Sequence, residues 1–314
     1  MRELAIEARA LTKRFGKVVA LDSLDLQVQP GESMVVLGDA AAGKSVALRL
    51  LAGVARPSSG SVLVRGVSPT SRAGLAARCS VGVLWQEPAF YGWMTGREAL
   101  AFAADLLGVE RKSAATRVAE TLDRVGLAET ADRPITGFPP EMRRRLDIAQ
   151  ALVGGPDVLL LDEPLAWLDR PGHDDALAML ESLRGSTTMV VATRDVALAE
   201  AIGDRVTVLD AGRTLAVSDT RHLLDRLAPR DYLLELVPGA GLALAGLTAR
   251  LGHEAWVMDV TGRDGTLRVA VRDEARADHE LLPAVVATGV PVLGLSRDRP
   301  GIGVLVERLR GETR

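Results

Sequence analysis

The stretch Gly38-Asp39-Ala40-Ala41-Ala42-Gly43-Lys44-Ser45 decides the fold of the first part of this chain. It fits the pattern G-x-x-x-x-G-K-[ST], in which two glycines let backbone N–H groups turn inward onto phosphate oxygens. An apolar run from Met34 to Leu37 precedes the stretch, and a helical run from Val46 to Leu51 follows it. This strand-loop-helix context disfavours a chance glycine-rich turn. The sequence therefore predicts a phosphate site at the start of a helix.

Two acidic residues form a second candidate element far along the chain. Asp162 and Glu163 follow the fully apolar run Val158 to Leu161, which is typical of a parallel strand buried on both faces. In nucleotide sites built on such a phosphate loop, the lysine, here Lys44, reaches the β- and γ-phosphates. The Ser45 hydroxyl and the first of the two acids, Asp162, hold Mg²⁺. The adjacent Glu163 can polarise the attacking water. The alternative to these functional roles is that Asp162 and Glu163 are simply an acidic strand end in contact with solvent.

Short apolar runs alternate with helical patterns up to about residue 226, which predicts an α/β domain over residues 1–226. The expected strands are Met34 to Leu37, Val81 to Leu84, Val158 to Leu161, Met189 to Ala192 and Val206 to Leu209. The earliest runs, Leu4 to Ala8 and Leu24 to Val28, alternate and predict an antiparallel edge. Residues from about 93 to 151 are mostly helical in composition and predict a helical subdomain inserted between core strands.

The pattern loosens near residues 227–241, where Pro229, Pro238 and Gly239 predict a linker. Residues 242–314 then predict a small α+β domain. Its expected elements are a helix at Leu242 to Gly252, a hairpin of Trp256 to Val260 with Leu267 to Val271 around Gly262-Arg263-Asp264-Gly265, a helix at Ala275 to Thr288, a strand at Val290 to Leu295 and a helix at Ile302 to Leu309.

Composition limits the classes of function. The net charge of −3 and the isoelectric point near 5.9 argue against a nucleic-acid partner. The N-terminus has no signal-peptide pattern, and the most apolar stretch is far shorter than the roughly 20 residues of a membrane span. The single cysteine, Cys79, cannot form an internal disulfide and is expected to pack in the interior.

With these residues in place, the sequence resembles the ATP-binding subunits of ABC transporters over about residues 3 to 226. Phe15 in Lys13-Arg14-Phe15-Gly16 resembles the aromatic residue on which adenine stacks, although a core aromatic is the alternative. Gln86 in Leu84-Trp85-Gln86-Glu87-Pro88 resembles the Q-loop glutamine, although it could be an ordinary surface residue. Leu168-Asp169 resembles the D-loop.

The resemblance implies a fold and a function. The fold is a P-loop NTPase domain of the ABC type, with an antiparallel edge, a helical subdomain and a small C-terminal α+β domain. The function is coupling of ATP binding and hydrolysis to solute export through a separate transmembrane permease. The chain would form a homodimer, or a heterodimer with a paralogous ATP-binding subunit, at the cytoplasmic face of the cell membrane.

The same resemblance implies the members of the site. Glu163 and Gln86 are the candidate catalytic residues, and Ser45, Gln86 and Asp162 are the candidate Mg²⁺ ligands. The candidate ATP-binding residues are Phe15, Gly38, Asp39, Ala40, Ala41, Ala42, Gly43, Lys44, Ser45, Val46, Asp162 and Arg194.

Several residues depart from the family pattern. The Ser-Gly-Gly signature, which binds the γ-phosphate held by the opposite subunit, is replaced by Pro139, Pro140 and Glu141. Proline has no N–H to donate, and a carboxylate repels phosphate. Arg194 stands where the family has a switch histidine, and it cannot act as a neutral imidazole. These changes predict impaired hydrolysis, and the alternative is a non-hydrolysing regulatory or scaffold subunit paired with an intact paralogue.

Further expectations concern less specific positions. Ala41 and Val46 replace the glycine and threonine usual in the family loop. The triplet Arg143-Arg144-Arg145 is expected to form a solvated or interface face of its helix. The C-terminal domain resembles, weakly, the extra region of type-2 drug exporters, and either dimerisation and regulation or simple packing would explain it. A soluble ABC protein of ribosomes or DNA is disfavoured, because the chain lacks a second such domain and a coiled-coil insertion.

Overall fold

A computed structural model describes residues 4–74, 79–87, 90–227, 231–237, 241–263, 265–298 and 301–312. These residues fall into two compact units, 1–220 and 221–314. Along the first unit the elements are β1 (Ile6–Phe15), β2 (Val18–Val28), β3 (Ser33–Gly38), α1 (Lys44–Leu51), β4 (Ser59–Val64), β5 (Val81–Leu84), α2 (Gly96–Leu106), α3 (Arg111–Arg124), α4 (Pro140–Leu152), β6 (Val158–Asp162), α5 (Arg170–Leu183), β7 (Thr188–Thr193), α6 (Val196–Ile202), β8 (Arg205–Asp210) and β9 (Arg213–Asp219), with 3₁₀ turns at Ala128–Thr130 and Ile135–Gly137.

A six-stranded sheet with the order β5-β6-β7-β3-β8-β9 forms the centre of the first unit. The strands from β5 to β8 are parallel, and β9 pairs antiparallel with β8 at one edge. All residues of β3, β6 and β7 are buried, as the continuous apolar runs predict for strands covered on both faces. The α/β fold class predicted from the sequence is confirmed, because the central strands lie where the apolar runs placed them.

The predicted antiparallel edge is a separate three-stranded sheet with the order β2-β1-β4. Buried side chains of this sheet and of the central sheet belong to one hydrophobic cluster that also contains Ala47, Leu48, Leu50 and Leu51 of α1. The helix after the phosphate loop is therefore held between two sheets, which fixes the loop that precedes it.

The predicted helical insertion consists of α2, α3 and α4. Thr95 begins α2 with a capping box, in which its side chain and that of Glu98 each accept a backbone N–H bond of the other residue. Pro140 occupies the first helical position of α4, where its missing N–H costs the helix nothing. Glu141 adds a negative charge in the first turn of α4, which the helix dipole favours.

The second unit contains a four-stranded antiparallel sheet. Its elements are β10 (Asp231–Leu236), α8 (Gly241–Gly252), β11 (Val257–Arg263), β12 (Thr266–Val271), α9 (Glu274–Val286), β13 (Val292–Asp298) and α10 (Ile302–Glu312), and α7 (Thr220–Leu227) precedes them. The strand order β11-β12-β10-β13 with a β-α-β-β-α-β chain order is that of the ferredoxin-like fold. The predicted α+β character of this region is confirmed.

Two expectations differ from the structure. Residues 227–241, predicted as a linker, contain β10, an inner strand of the second sheet; Pro229, Pro238 and Gly239, which prompted the linker, lie outside the described residues, as do Pro88 and Asp264. The expectation that Cys79 packs in the interior is wrong, because Cys79 lies exposed in the turn before β5. Among the described helices, none combines the length and apolar character needed to cross a bilayer.

Each unit has its own buried core, and this leads to a prediction on stability. Leu160 in β6 and Leu234 in β10 are both fully buried, one in each core. We expect Leu160→Ala and Leu234→Ala each to lower the free energy of unfolding by about 2–5 kcal/mol. Hydrogen exchange measured by mass spectrometry should locate the loosening in residues 4–220 for the first variant and in 221–312 for the second. Equal loosening of both regions by either variant would contradict separate cores.

Candidate functional site

Three neighbouring strands of the central sheet end side by side. In the parallel register Leu37 of β3 pairs with Thr193 of β7, and Asp162 of β6 pairs with Ala192 of β7. Because the carboxyl ends of parallel strands share one edge of a sheet, the phosphate loop, Glu163 and Arg194 follow these strands at the same place. Ligands of open α/β sheets bind at this edge.

A cavity of about 410 Å³ opens at this edge. Its lining residues are Ala40, Ala41, Lys44, Ser45, Gln86, Asp162, Glu163, Ala166, Trp167 and Arg194. Eight of these ten are among the site residues that the sequence predicts, and Ala166 and Trp167 are not. The predicted residues outside this lining are Phe15, Gly38, Asp39, Ala42, Gly43 and Val46.

Two residues of the phosphate loop, Gly43 and Ala41, have a left-handed backbone conformation. Gly43 has φ 99°, and a Cβ there would lie 2.7 Å from the carbonyl oxygen of Ala20, so this position requires glycine. Ala41 also adopts a left-handed conformation, with φ 61°. This conformation costs a residue with a Cβ roughly 1–2 kcal/mol, which gives a physical reason for the glycine usual at this position.

Lys44 is buried within the loop that it serves. Its Nζ donates hydrogen bonds to the carbonyl oxygens of Gly38, at 2.8 Å, and Asp39, at 3.0 Å. The same Nζ lies 3.6 Å from Oε1 of Glu163. The ammonium group therefore stands between the loop and the acidic strand end, with its charge available to an anion in the cavity.

Asp162 provides an observation that bears on a metal ion. Its side chain is buried, and Oδ1 has no hydrogen-bond partner among the described atoms. Burial raises the pKa of Asp162, while a hydrogen bond with Ser45 and the charge of Lys44 act in the opposite direction. A buried carboxylate oxygen with an open coordination position beside a hydroxyl is a donor set that fits Mg²⁺. The residues present thus fit the predicted ion.

Glu163 is held in an unusual backbone conformation with a defined side-chain partner. Its φ is 47°, and its N–H bonds to the carbonyl oxygen of Ala192 at 2.8 Å. The Thr193 hydroxyl donates a 3.0 Å hydrogen bond to Oε2, and the hydroxyl in turn accepts the N–H of Asp195. The carboxylate is therefore oriented by its two neighbours, Lys44 and Thr193.

Arg194 lies between two fixed residues. Thr193 is bonded to Glu163, and the Asp195 carboxylate caps the helix α6 by accepting the N–H groups of Ala197 and Leu198. The backbone at Arg194 is thereby restrained, while its side chain is exposed and lines the cavity. The Arg194 guanidinium therefore places a positively charged group at the cavity wall.

Two aromatic residues near the site are exposed. Phe15 is 56% exposed, with Nζ of Lys13 5.2 Å from its ring centroid, so its ring is not part of the core. Trp167 is 64% exposed at the cavity wall, and its φ of 69° is rare for a bulky residue. No sequence pattern pointed to Trp167, because its exposure results from a local backbone conformation.

The predicted departures at Pro139, Pro140 and Glu141 lie at the start of a helix, as expected. Pro139 is the N-cap of α4, and it makes no side-chain capping bond. With two successive prolines, the helix start lacks two N–H groups that could bind an anion.

The arginine triplet differs from its prediction. Arg144 is completely buried, so the expectation of a solvated or interface face is wrong for this residue. Arg143 and Arg145 each donate to a backbone carbonyl, and Arg145 also pairs with Asp175 at 3.2 Å. The helical spacing from Arg144 to the buried residues Ile148 and Ala151 is the signal that could have identified it.

The glycine-rich loop, the buried lysine and the strand-end acids define a P-loop nucleotide-binding protein. The family model described as ABC transporter matches residues 21–166. The daunorubicin resistance ATP-binding protein DrrA3 of Streptomyces coeruleorubidus is 32% identical over 315 residues, which covers 100% of this chain and 98% of the relative. The linearmycin resistance ATP-binding protein LnrL of Bacillus subtilis (strain 168) is 28% identical, with 98% and 99% covered.

Among solved structures, cbiO1 from Clostridium perfringens, part of the ABC transporter complex cbiONQ, matches with a TM-score of 0.63 and 26% identity. The match covers 71% of this chain and 91% of cbiO1. The chain belongs to the ATP-binding proteins of ABC transporters, and ATP with Mg²⁺ is the ligand of its P-loop site.

Proposed function

We propose that this chain is the energising subunit of an exporter, and that it couples ATP binding and slow ATP hydrolysis to solute export through a separate transmembrane permease. The observation that carries the proposal is the complete phosphate cavity combined with a helix start at Pro139 and Pro140 that lacks N–H donors. Similarity over the whole chain to ATP-binding proteins named for daunorubicin and linearmycin resistance supports the exporter class.

Within this proposal each site residue predicted from the sequence has a role. Lys44 and Arg194 bind the phosphates, Ser45, Gln86 and Asp162 hold Mg²⁺, and Phe15 stacks on the base. The other contacts come from the loop at Gly38, Asp39, Ala40, Ala41, Ala42, Gly43 and Val46. When bound, Mg²⁺ supplies positive charge that offsets the charge developing on the phosphates.

Hydrolysis follows from the position of Glu163. Its carboxylate orients a water whose oxygen forms a bond to the γ-phosphorus, while the bond from that phosphorus to the bridging oxygen breaks and ADP leaves with the electron pair. The water proton goes to the carboxylate and then to solvent. Thr193 and Lys44 hold Glu163 in place for this step.

The proposed slow rate of ATP hydrolysis results from N–H donors and an imidazole that this chain lacks at positions 139, 140 and 194. Removing one preorganised donor from a transition-state site costs about 10²- to 10³-fold in rate. The start of α4 lacks the N–H groups of Pro139 and Pro140, and Glu141 adds a negative charge beside them. Arg194 places a guanidinium at the cavity, and this group cannot act as the neutral imidazole of a histidine.

A second candidate function is a non-hydrolysing subunit that regulates or scaffolds an intact paralogous ATPase. The two prolines favour this candidate, because a dimer with an intact paralogue loses donors at one of its two composite sites, whereas a homodimer loses them at both. In both candidates the first unit binds ATP, and the second unit, whose sheet includes β10, serves dimerisation or regulation. The chain would lie in the cytoplasm against the permease.

The first prediction from this proposal concerns turnover. We expect the purified chain to bind ATP with Mg²⁺ and to release phosphate at least about 10²-fold more slowly than the roughly 1–10³ per second typical of enzymes. Equilibrium dialysis measures binding, and radiolabelled phosphate release measures turnover. Lys44→Ala should lose ATP binding and serves as the control. Brisk turnover that Glu163→Gln abolishes would contradict the proposal of impaired hydrolysis.

The second prediction restores the family residues. Combining Pro139→Ser, Pro140→Gly and Glu141→Gly with Arg194→His should raise phosphate release about tenfold or more, because donors return to the site. Turnover of this variant should also acquire a pH dependence near 6.5, since imidazole titrates there. Arg194→Lys in the same triple background keeps the cation and is the matched control, so an equal pH dependence in both would argue against a role for residue 194.

The third prediction concerns the partner. Affinity capture of the tagged chain from detergent-solubilised membranes should recover a multi-span permease. Recovery of the permease with this chain as the only ATP-binding subunit would support a homodimer. Recovery together with a second, paralogous subunit would support the regulatory alternative. A chain recovered without any membrane protein would contradict the coupling to a permease.

A further inference from the structure

Arg144 is the one fully buried arginine of its helix triplet, and its environment is unlike that of its neighbours. Arg143 and Arg145 donate to carbonyl oxygens near the surface, whereas the relative exposure of Arg144 is 0%. A guanidinium costs free energy to bury unless all of its donors are satisfied. The hydrogen-bond partners of Arg144 therefore indicate which parts of the structure it stabilises.

All five N–H donors of the guanidinium have partners. Nη1 bonds to the carboxylate of Asp147 at 2.9 Å and to the carbonyl oxygen of Trp85 at 2.6 Å. Nε bonds to the carbonyl oxygen of Pro164 at 3.2 Å. Nη2 bonds to the carbonyl oxygens of Asp162, at 2.9 Å, and Glu163. Only arginine offers five donors in a planar fork, and lysine offers three.

Three of these carbonyl acceptors belong to consecutive residues, and one of the three is Glu163, whose φ is positive. The carbonyl groups of Asp162, Glu163 and Pro164 all point at one guanidinium, while the N–H of Glu163 is bonded on its other side to Ala192. The positive φ of Glu163 costs of order 1–3 kcal/mol and persists only where the surroundings impose it. Arg144 supplies that restraint.

The fourth carbonyl acceptor of Arg144, that of Trp85, belongs to a different segment near the cavity. Trp85 directly precedes Gln86, which lines the cavity. Arg144 itself lies in the second turn of α4, the helix that begins at Pro140. One side chain thus joins the start of that helix to the segments that carry Glu163 and Gln86.

We infer that Arg144 is a positioning residue for hydrolysis: it holds the backbone of Asp162, Glu163 and Pro164 so that the Glu163 carboxylate faces the cavity. This rests on the proposed role of Glu163 in hydrolysis. Arg144 does not line the cavity, so it acts through Glu163 and not on ATP. A displacement of about 1 Å at a reacting group can cost 10²-fold in rate, which is the scale of the expected effect.

The test compares Arg144→Lys with Arg145→Lys, a matched change one residue away. ATP affinity and the single-turnover rate of phosphate release are measured on the full chain. We expect Arg144→Lys to slow single turnover about 10- to 100-fold while the ATP dissociation constant stays within about threefold. Arg145→Lys should change neither. An unchanged rate in Arg144→Lys, with only a lowered melting temperature, would show a purely structural role and overturn the inference.

A double-mutant cycle tests the route of action. In a Glu163→Gln background, Arg144→Lys should have little further effect on the residual rate, because the group that it positions is gone. Additive losses would overturn the inference. Asp147→Asn keeps all five donors and an oxygen acceptor, so its rate should stay within about threefold even though a buried ion pair is lost. Asp147→Asn remains informative if Arg144→Lys fails to fold. A rate about tenfold slower in Asp147→Asn would show that general loosening of the buried packing controls turnover, and it would overturn the inference.

The wild-type chain separates this inference from the proposed function. A chain that binds no ATP would overturn the proposed function. A chain that binds ATP with Mg²⁺ but releases no phosphate in a single turnover would overturn both the proposed slow hydrolysis and the inference that rests on it. Phosphate release that Arg144→Lys leaves unchanged would overturn the inference alone.

Discussion

The parallel pairing of β3, β6 and β7 is the constraint on which the site depends. Each strand is buried along its whole length, so its register cannot slip by one residue without moving every side chain to the opposite face. That register brings the phosphate loop, the two acids at the end of β6 and Thr193 to one edge. The strands thereby place Lys44, Asp162 and Glu163 near one another, and hydrogen bonds from Thr193 and Arg144 then hold Glu163.

The sequence predicted most of this edge, because each of its parts is a local pattern. An apolar run followed by GDAAAGKS, or by Asp162 and Glu163, determines its own strand and the residue that ends it. Arg144 was not predicted as part of the site, since its position depends on contacts between segments far apart in the chain. Trp167 was not predicted, because its exposure depends on a local left-handed backbone conformation that no pattern indicates. β10 was missed for a related reason: its short run became a strand through pairing with β12 and β13.

The start of α4 shows stability and activity favouring different residues. Pro140 at the first helical position and Glu141 in the first turn both suit the beginning of a helix. The same choices remove N–H donors from the helix end and place a negative charge there, which opposes phosphate binding. The helix start, where the family resemblance implies a phosphate contact, is thus occupied by residues that suit a structural role, and Arg144, one turn further on, still ties this helix to Glu163.

The sheet order also has a consequence for synthesis of the chain. β3 is the third strand made, yet Ser33 pairs with Met189 of β7 and Met34 pairs with Arg205 of β8, which are both made much later. Neither neighbour exists when β3 leaves the ribosome, so the phosphate loop that follows it cannot take its final shape at that stage. Pairing between such distant segments slows folding and leaves apolar strands unpaired in the meantime. During translation the largely apolar β3 is therefore a segment that chaperones are expected to protect.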